Sequence, residues 1–158
     1  RFVRMVRDTS DWTLIRECEC PVFLVKTGKP FKIESVLVAV KHSPDETSYE
    51  KANQDILDSA RRMADDLGAK LHAVTCYEGD RRPDRQRFAD KCGLERNQVS
   101  AASGKPEKII AEVAAEKGSD LVIIARVARP DSPGAVGKTA RKVIDEINTD
   151  VLVLPVAS

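Results

Sequence analysis

The chain has 158 residues, a length that fits one domain with room for an appendage. Hydrophobic residues make up 42%, charged residues 32% and aromatics 4%, with a net charge of +1. That balance is globular: it supplies no global field for nucleic acid or acidic membrane, few platforms for base stacking, and no apolar run near the roughly 18 residues needed to span a bilayer.

The elements follow in chain order. The basic opening "RFVRMVR" lacks the apolar core and cleavage site of a signal peptide and reads as the cut end of a longer protein. Ser10 caps a short helix over 11–16, with Trp12 and Ile15 on one face. "PVFLV" (21–25) reads as a strand, and "KTGKPFKIE" (26–34) as a linker. A βαβα rhythm follows. Strands are expected at 36–40, 71–76, 98–103, 121–125 and 151–156. Helices are expected at 47–67 (apolar Ala52, Ile56, Ala60, Met63 and Leu67, closed by Gly68), up to Cys92, from Pro106 to Gly118, and after Gly137. Continuous β-branched runs such as "VLVAV" suit strands buried on both faces. The alternation implies a mainly parallel sheet with helices on both sides, whose ligands bind beyond the carboxyl ends of the strands.

The four cysteines read as reduced thiols, with a redox or metal role as the alternative. Cys18 and Cys20 form C-x-C rather than C-x-x-C, and His42 and His72 lie at no zinc-site spacing from them, so no metal site is expected. Cys76 sits in an apolar run and reads as a small core residue.

The string "GAVGKT" (134–139) resembles the tail of a phosphate-binding P-loop. Its first glycine is missing, because Ser132 stands there, and residues 126–133 separate it from the preceding strand. No Asp follows the strands at 36–40 or 71–76 to hold Mg²⁺. The string therefore reads as something other than a P-loop.

The order and spacing of "ASGKPEKIIAEVAAEKGSDLVIIA" and "GKTARKVIDEINTDVLVLPV" resemble a universal stress protein domain, over about 33–157. "TSDWTLIRECECPVFLVK" is similar to the closing helix and strand of another such domain. Together they resemble the tandem-domain type of the family. The resemblance divides the chain into residues 1–27 from a preceding domain, a linker at 28–34 and a domain at 35–158. It implies an α/β three-layer sandwich, a Rossmann-like, adenine-nucleotide-hydrolase-like fold with a five-stranded parallel sheet in order 3-2-1-4-5. It also implies an added antiparallel edge strand, residues 21–26 pairing with 151–156. Covering "VLVL" this way removes an aggregation-prone edge.

Many family members bind ATP through glycine, two residues, glycine, nine residues, then glycine and Ser or Thr. Gly137 matches the last glycine; counting back places Val127 and Ile124 at the early ones, and Lys138 replaces the hydroxyl. Lys41, followed by His42, stands where ATP-binding members carry an Asp. These departures speak against family-type ATP binding and against a cofactor. The alternative is a basic phosphate site built from Lys41, Arg126, Arg129, Lys138 and Arg141. If a nucleotide binds, the resemblance puts it against Val40, Lys41, His42, Val74, Arg126, Val127, Gly134, Gly137, Lys138 and Thr139. His42 has a base's chemistry, but no nucleophile–base–orienter set is legible, so no enzyme is expected. The run "RRPDRQR" (81–87) reads as a solvated helix face, and no nucleic-acid partner is expected. The expectation is a cytoplasmic, non-enzymatic stress-response module, acting through homo-oligomers, an intramolecular pseudo-dimer at the last strand, or an unidentified protein partner.

Overall fold

The β-branched runs form a six-stranded sheet in order β1-β6-β5-β2-β3-β4. The computed structural model describes residues 10–28, 32–41, 49–128 and 138–157. In chain order the elements are α1 (Ser10–Glu17), β1 (Val22–Leu24), β2 (Ser35–Ala39), α2 (Glu50–Leu67), β3 (Lys70–Tyr77) and α3 (Arg85–Cys92). A 3-10 turn (Arg96–Gln98), β4 (Val99–Ser103), α4 (Pro106–Glu116), β5 (Leu121–Ala128), α5 (Lys138–Glu146) and β6 (Asp150–Ala157) complete them. From β2 onward every pairing is parallel, and counted from β2 the order is 3-2-1-4-5. β1 runs antiparallel to β6, with Val22 opposite Val153, Phe23 opposite Leu152 and Leu24 opposite Val151. The expected edge strand is therefore present, over three residues.

Successive strand residues point to opposite faces, so the sheet separates two cores. Val36, Val38, Ile123 and Leu152 pack with Ile56, Leu57 and Phe88 of α2 and α3. Leu37, Val122, Ile124 and Val151 pack with Trp12 and Ile15 of α1, Ile110 of α4, and Val143 and Ile144 of α5. On α4 the expected face, Ile109, Ile110, Val113 and Ala114, is buried as read from its spacing.

The burial of Leu67 and the end of β5 differ from the sequence reading. Leu67, expected on the buried face of α2, is exposed, while Leu57 and Ala64 are buried. Leu67 is the last helical residue before Gly68, whose φ of 62° turns the chain back to β3. Only glycine takes that conformation without strain, and it lets Gly68 N–H donate to Asp65 O (3.1 Å) and Ala69 N–H to Ala64 O (2.8 Å). β5, expected to stop at Ala125, continues to Ala128, with Arg126, Val127 and Ala128 opposite Pro155, Val156 and Ala157. Pro155 is tolerated because β1 stops opposite Val153, leaving the end of β6 an open edge.

The linker is tied at both ends. Asp150 accepts from the backbone N–H of Lys26 (2.7 Å) and Thr27 (2.9 Å) and from the Thr27 hydroxyl (3.2 Å). The Lys26 ammonium donates to the carbonyls of Ile144 and Ile147, which end α5 and need donors. Burial lowers the Lys26 pKa, opposed by the nearby Asp145 carboxylate. Past the linker, Asp120 accepts from the N–H of Glu34 (2.9 Å) and Ser35 (3.1 Å), joining the start of β2 to the start of β5.

His72 is the buried titratable group of β3. Its Nε2 lies 2.8 Å from Ser100 Oγ on β4. Burial pushes its pKa from 6.5 down to about 4, helped by Lys117 just past α4 and Arg85 on α3 and opposed by Glu116. The imidazole is neutral in the fold at pH values where the unfolded chain already binds a proton. Stability is expected to be insensitive to this group above about pH 6.5. It is expected to fall between about pH 6.5 and 4, by on the order of 2 kcal/mol after allowance for solvent screening. Urea titrations across that window check this: His72→Gln removes that share of the pH slope.

Candidate functional site at the carboxyl ends of the strands

The carboxyl ends of β2 and β5 and the start of α5 meet where an open parallel sheet places its ligands. Val40 follows β2 and is buried, its N–H donating to Val74 O at 2.9 Å. Val74 is buried beneath the α4 and α5 side of the sheet. The next residue, Lys41, is exposed, with its ammonium 3.7 Å from the centre of the Tyr49 ring. Asn53 Nδ2 donates to the Lys41 carbonyl at 2.6 Å. Lys138 and Thr139 open α5 and are exposed. His42, Arg129, Gly134 and Gly137 lie outside the described residues.

Arg126 differs most from its expected place. It belongs to β5 rather than to a loop, and its side chain is only 7% exposed. The guanidinium donates to the carbonyl of Cys18 at 2.8 Å, joining the carboxyl end of β5 to the turn that follows α1. Arg141 is likewise drawn to the N-terminal segment, its Cζ 4.9 Å from the centre of the Trp12 ring. A cation over an indole face is stabilised by the ring quadrupole. The described cations of the expected basic mouth therefore divide. Arg126 holds the turn after α1, Arg141 lies over Trp12 of α1, Lys41 covers Tyr49, and Lys138 is exposed.

Ile124 and Val127, the positions counted back from Gly137, both belong to β5. Ile124 is buried in the core against α4 and α5, opposite Val153, and Val127 is half-buried opposite Val156. Read forward along β5 instead, Ala125 and Ala128 have the three-residue spacing of the family's first two glycines. Eight residues then separate Ala128 from Gly137, one fewer than the family pattern.

One concavity, about 360 Å³, lies between α2 and the end of β6. Glu19, Asp55 and Asp58 line it beside Arg62, so its carboxylates repel phosphate and it adds nothing to an anion site. Among the described residues no group of three His, Cys, Asp or Glu side chains is placed to hold a metal ion. Among them, too, no helix is long and apolar enough to cross a membrane.

A sequence model of the universal stress protein family matches residues 38–155. The chain belongs to the universal stress protein family. It is 26% identical over 167 residues to a universal stress protein E homolog from Haemophilus influenzae, covering 90% of this chain and 54% of that protein. It thus spans about half the length of the curated relatives it resembles. A solved protein from Pseudomonas aeruginosa UCBPP-PA14, assigned to the same family, superposes with a TM-score of 0.77 at 27% identity. That match covers 92% of this chain and 55% of the solved one. A universal stress protein solved in complex with cAMP gives a TM-score of 0.56 at 20% identity, over 79% of this chain and 98% of its own. That likeness concerns the fold alone. The parallel order of the sheet from β2 onward agrees with that membership.

Proposed function

We propose that this universal stress protein domain is a non-enzymatic, cytoplasmic stress-response module that works through assembly or partner binding. Its nucleotide loop is degenerate, and it needs no cofactor. The observation behind this reading is the use made of Arg126 and Arg141. Without the family's glycines, a phosphate would need these cations, and both are engaged with the N-terminal segment. Lys41 in place of the family's Asp removes the acceptor for a ribose. On the same reading residues 1–27 close a preceding domain, 28–34 link, and 35–158 form a second domain. The β1–β6 pair is then the seam of an intramolecular pseudo-dimer.

The second reading is an ATP-binding member that uses a basic phosphate site. Lys138 favours it, since it is exposed in the first turn of α5, where the helix dipole attracts anions. One experiment separates the two. The purified protein is denatured, released small molecules are chromatographed, and the stripped protein is titrated with ATP and Mg²⁺. The expected result is no released nucleotide and no heat of binding. Saturable micromolar binding that Lys138→Ala weakens by tenfold or more would establish the second reading.

A further inference from the structure

The C-x-C pair has no part in the proposed function, yet it occupies a built turn. Cys18 N–H donates to Leu14 O at 2.9 Å and closes the last turn of α1. The chain bends at Glu19 and Cys20 before Pro21 leads into β1. Cys18 is half-buried and Cys20 exposed. The Arg126 guanidinium holds the Cys18 carbonyl, fixing one side of the turn, while Cys20 is exposed. Residues two apart on an extended chain have Cα atoms about 7 Å apart, whereas disulfides span roughly 4.4–6.8 Å. The chain bends at Glu19 and Cys20 and so departs from the extended form between the two cysteines. The other two cysteines behave differently. Cys76 is half-buried and Cys92 buried, and burial pushes both thiols up to about 11. Such thiols hold little thiolate and react slowly.

We propose that Cys18 and Cys20 form an oxidant-responsive dithiol that closes to an intramolecular disulfide on exposure to a hydroperoxide. The Cys20 sulfur, as thiolate, attacks one peroxide oxygen. The O–O bond breaks, leaving Cys20 as a sulfenic acid and hydroxide, which takes up a proton to become water. The Cys18 sulfur then attacks the sulfenic sulfur. The S–O bond breaks, and the departing oxygen leaves with the Cys18 proton as a second water. In total two thiols are oxidised by two electrons and one hydrogen peroxide is reduced to two waters. Ring closure redraws the turn whose carbonyl holds Arg126, so oxidation is felt at the carboxyl end of β5.

Trypsin cleaves after Arg16 and Lys26, so one peptide, residues 17–26, carries both cysteines and no others. The reduced protein is treated with hydrogen peroxide, unfolded, alkylated without reductant and digested. The expected peptide is unalkylated, lighter than its reduced form by about 2 Da, and restored by dithiothreitol. Cys76 and Cys92 are expected to remain alkylated. In Cys18→Ser, Cys20 is expected to accumulate as a sulfenic acid trapped by dimedone. Stepwise oxygen addition to the wild-type peptide without the mass loss would overturn the proposal. So would equal consumption of Cys76 and Cys92, or disulfide-linked dimers as the main product.

Discussion

Replacing Asp150 with alanine is expected to destabilise the protein by about 3–4 kcal/mol and to free β1 from β6. Asp150 is 8% exposed, and its carboxylate accepts from two backbone N–H groups and one hydroxyl of the N-terminal segment. Hydrogen bonds to a charged acceptor contribute about 1.5–3 kcal/mol each. Their sum exceeds the expected loss because water enters once the side chain is gone. The amides of Lys26 and Thr27 lose a fixed acceptor, and Lys26 loses the anchoring that keeps its ammonium on Ile144 O and Ile147 O. Hydrogen exchange locates the damage. Protection is expected to vanish at Val22–Leu24 while the β2, β3 and β5 amides keep theirs. A urea midpoint close to wild type, with β1 still protected, would show that the apolar contacts of Trp12 and Ile15 hold the segment without the carboxylate. Asp150→Asn should fall between, since an amide keeps an oxygen acceptor but carries no charge.

This clamp marks where the sequence was legible and where it was not. The strands follow from apolar runs short enough to see in one stretch of chain, whereas their order and the edge pairing follow from the family resemblance. The helix faces were also legible: Trp12 and Ile15, or Ile109, Ile110, Val113 and Ala114, are spaced as one side of a helix and are buried as one. The clamp joins residues 26 and 27 to 150, and no local pattern marks an Asp as the acceptor for N–H groups so far away. Arg126 was misplaced for a related reason. An arginine after "LVIIA" looks like the end of a buried strand, since an unpaired buried charge is costly. Its burial becomes affordable only with the Cys18 carbonyl as acceptor, supplied by an element more than a hundred residues earlier. Leu67 shows the reverse error: its spacing was right, but the left-handed Gly68 ends the helix before that side chain reaches the sheet.

The two ways of placing the early glycines make opposite predictions for single substitutions. Ile124 is 4% exposed and packs against α4 and α5. Removing such a side chain costs about 2–5 kcal/mol, and glycine in a strand adds about 0.5–1 kcal/mol through backbone entropy. Ile124→Gly is therefore expected to lose about 4 kcal/mol and gain no affinity for ATP, because the position faces core and not a phosphate. Ala125→Gly removes one methyl from a half-buried site at the carboxyl end of β5 and is expected to cost about 1 kcal/mol. Urea titration of both variants, followed by ATP titration of the folded protein, decides between the registers. A stable Ile124→Gly that binds nucleotide would restore the count made back from Gly137 and return that residue to the phosphate mouth. A stable Ala125→Gly, alone or with Ala128→Gly, that still ignores ATP would mean that glycine is not the missing ingredient. The deficit would then lie at Lys41, where a cation stands in place of the family's ribose acceptor, and in the hold that α1 keeps on Arg126 and Arg141.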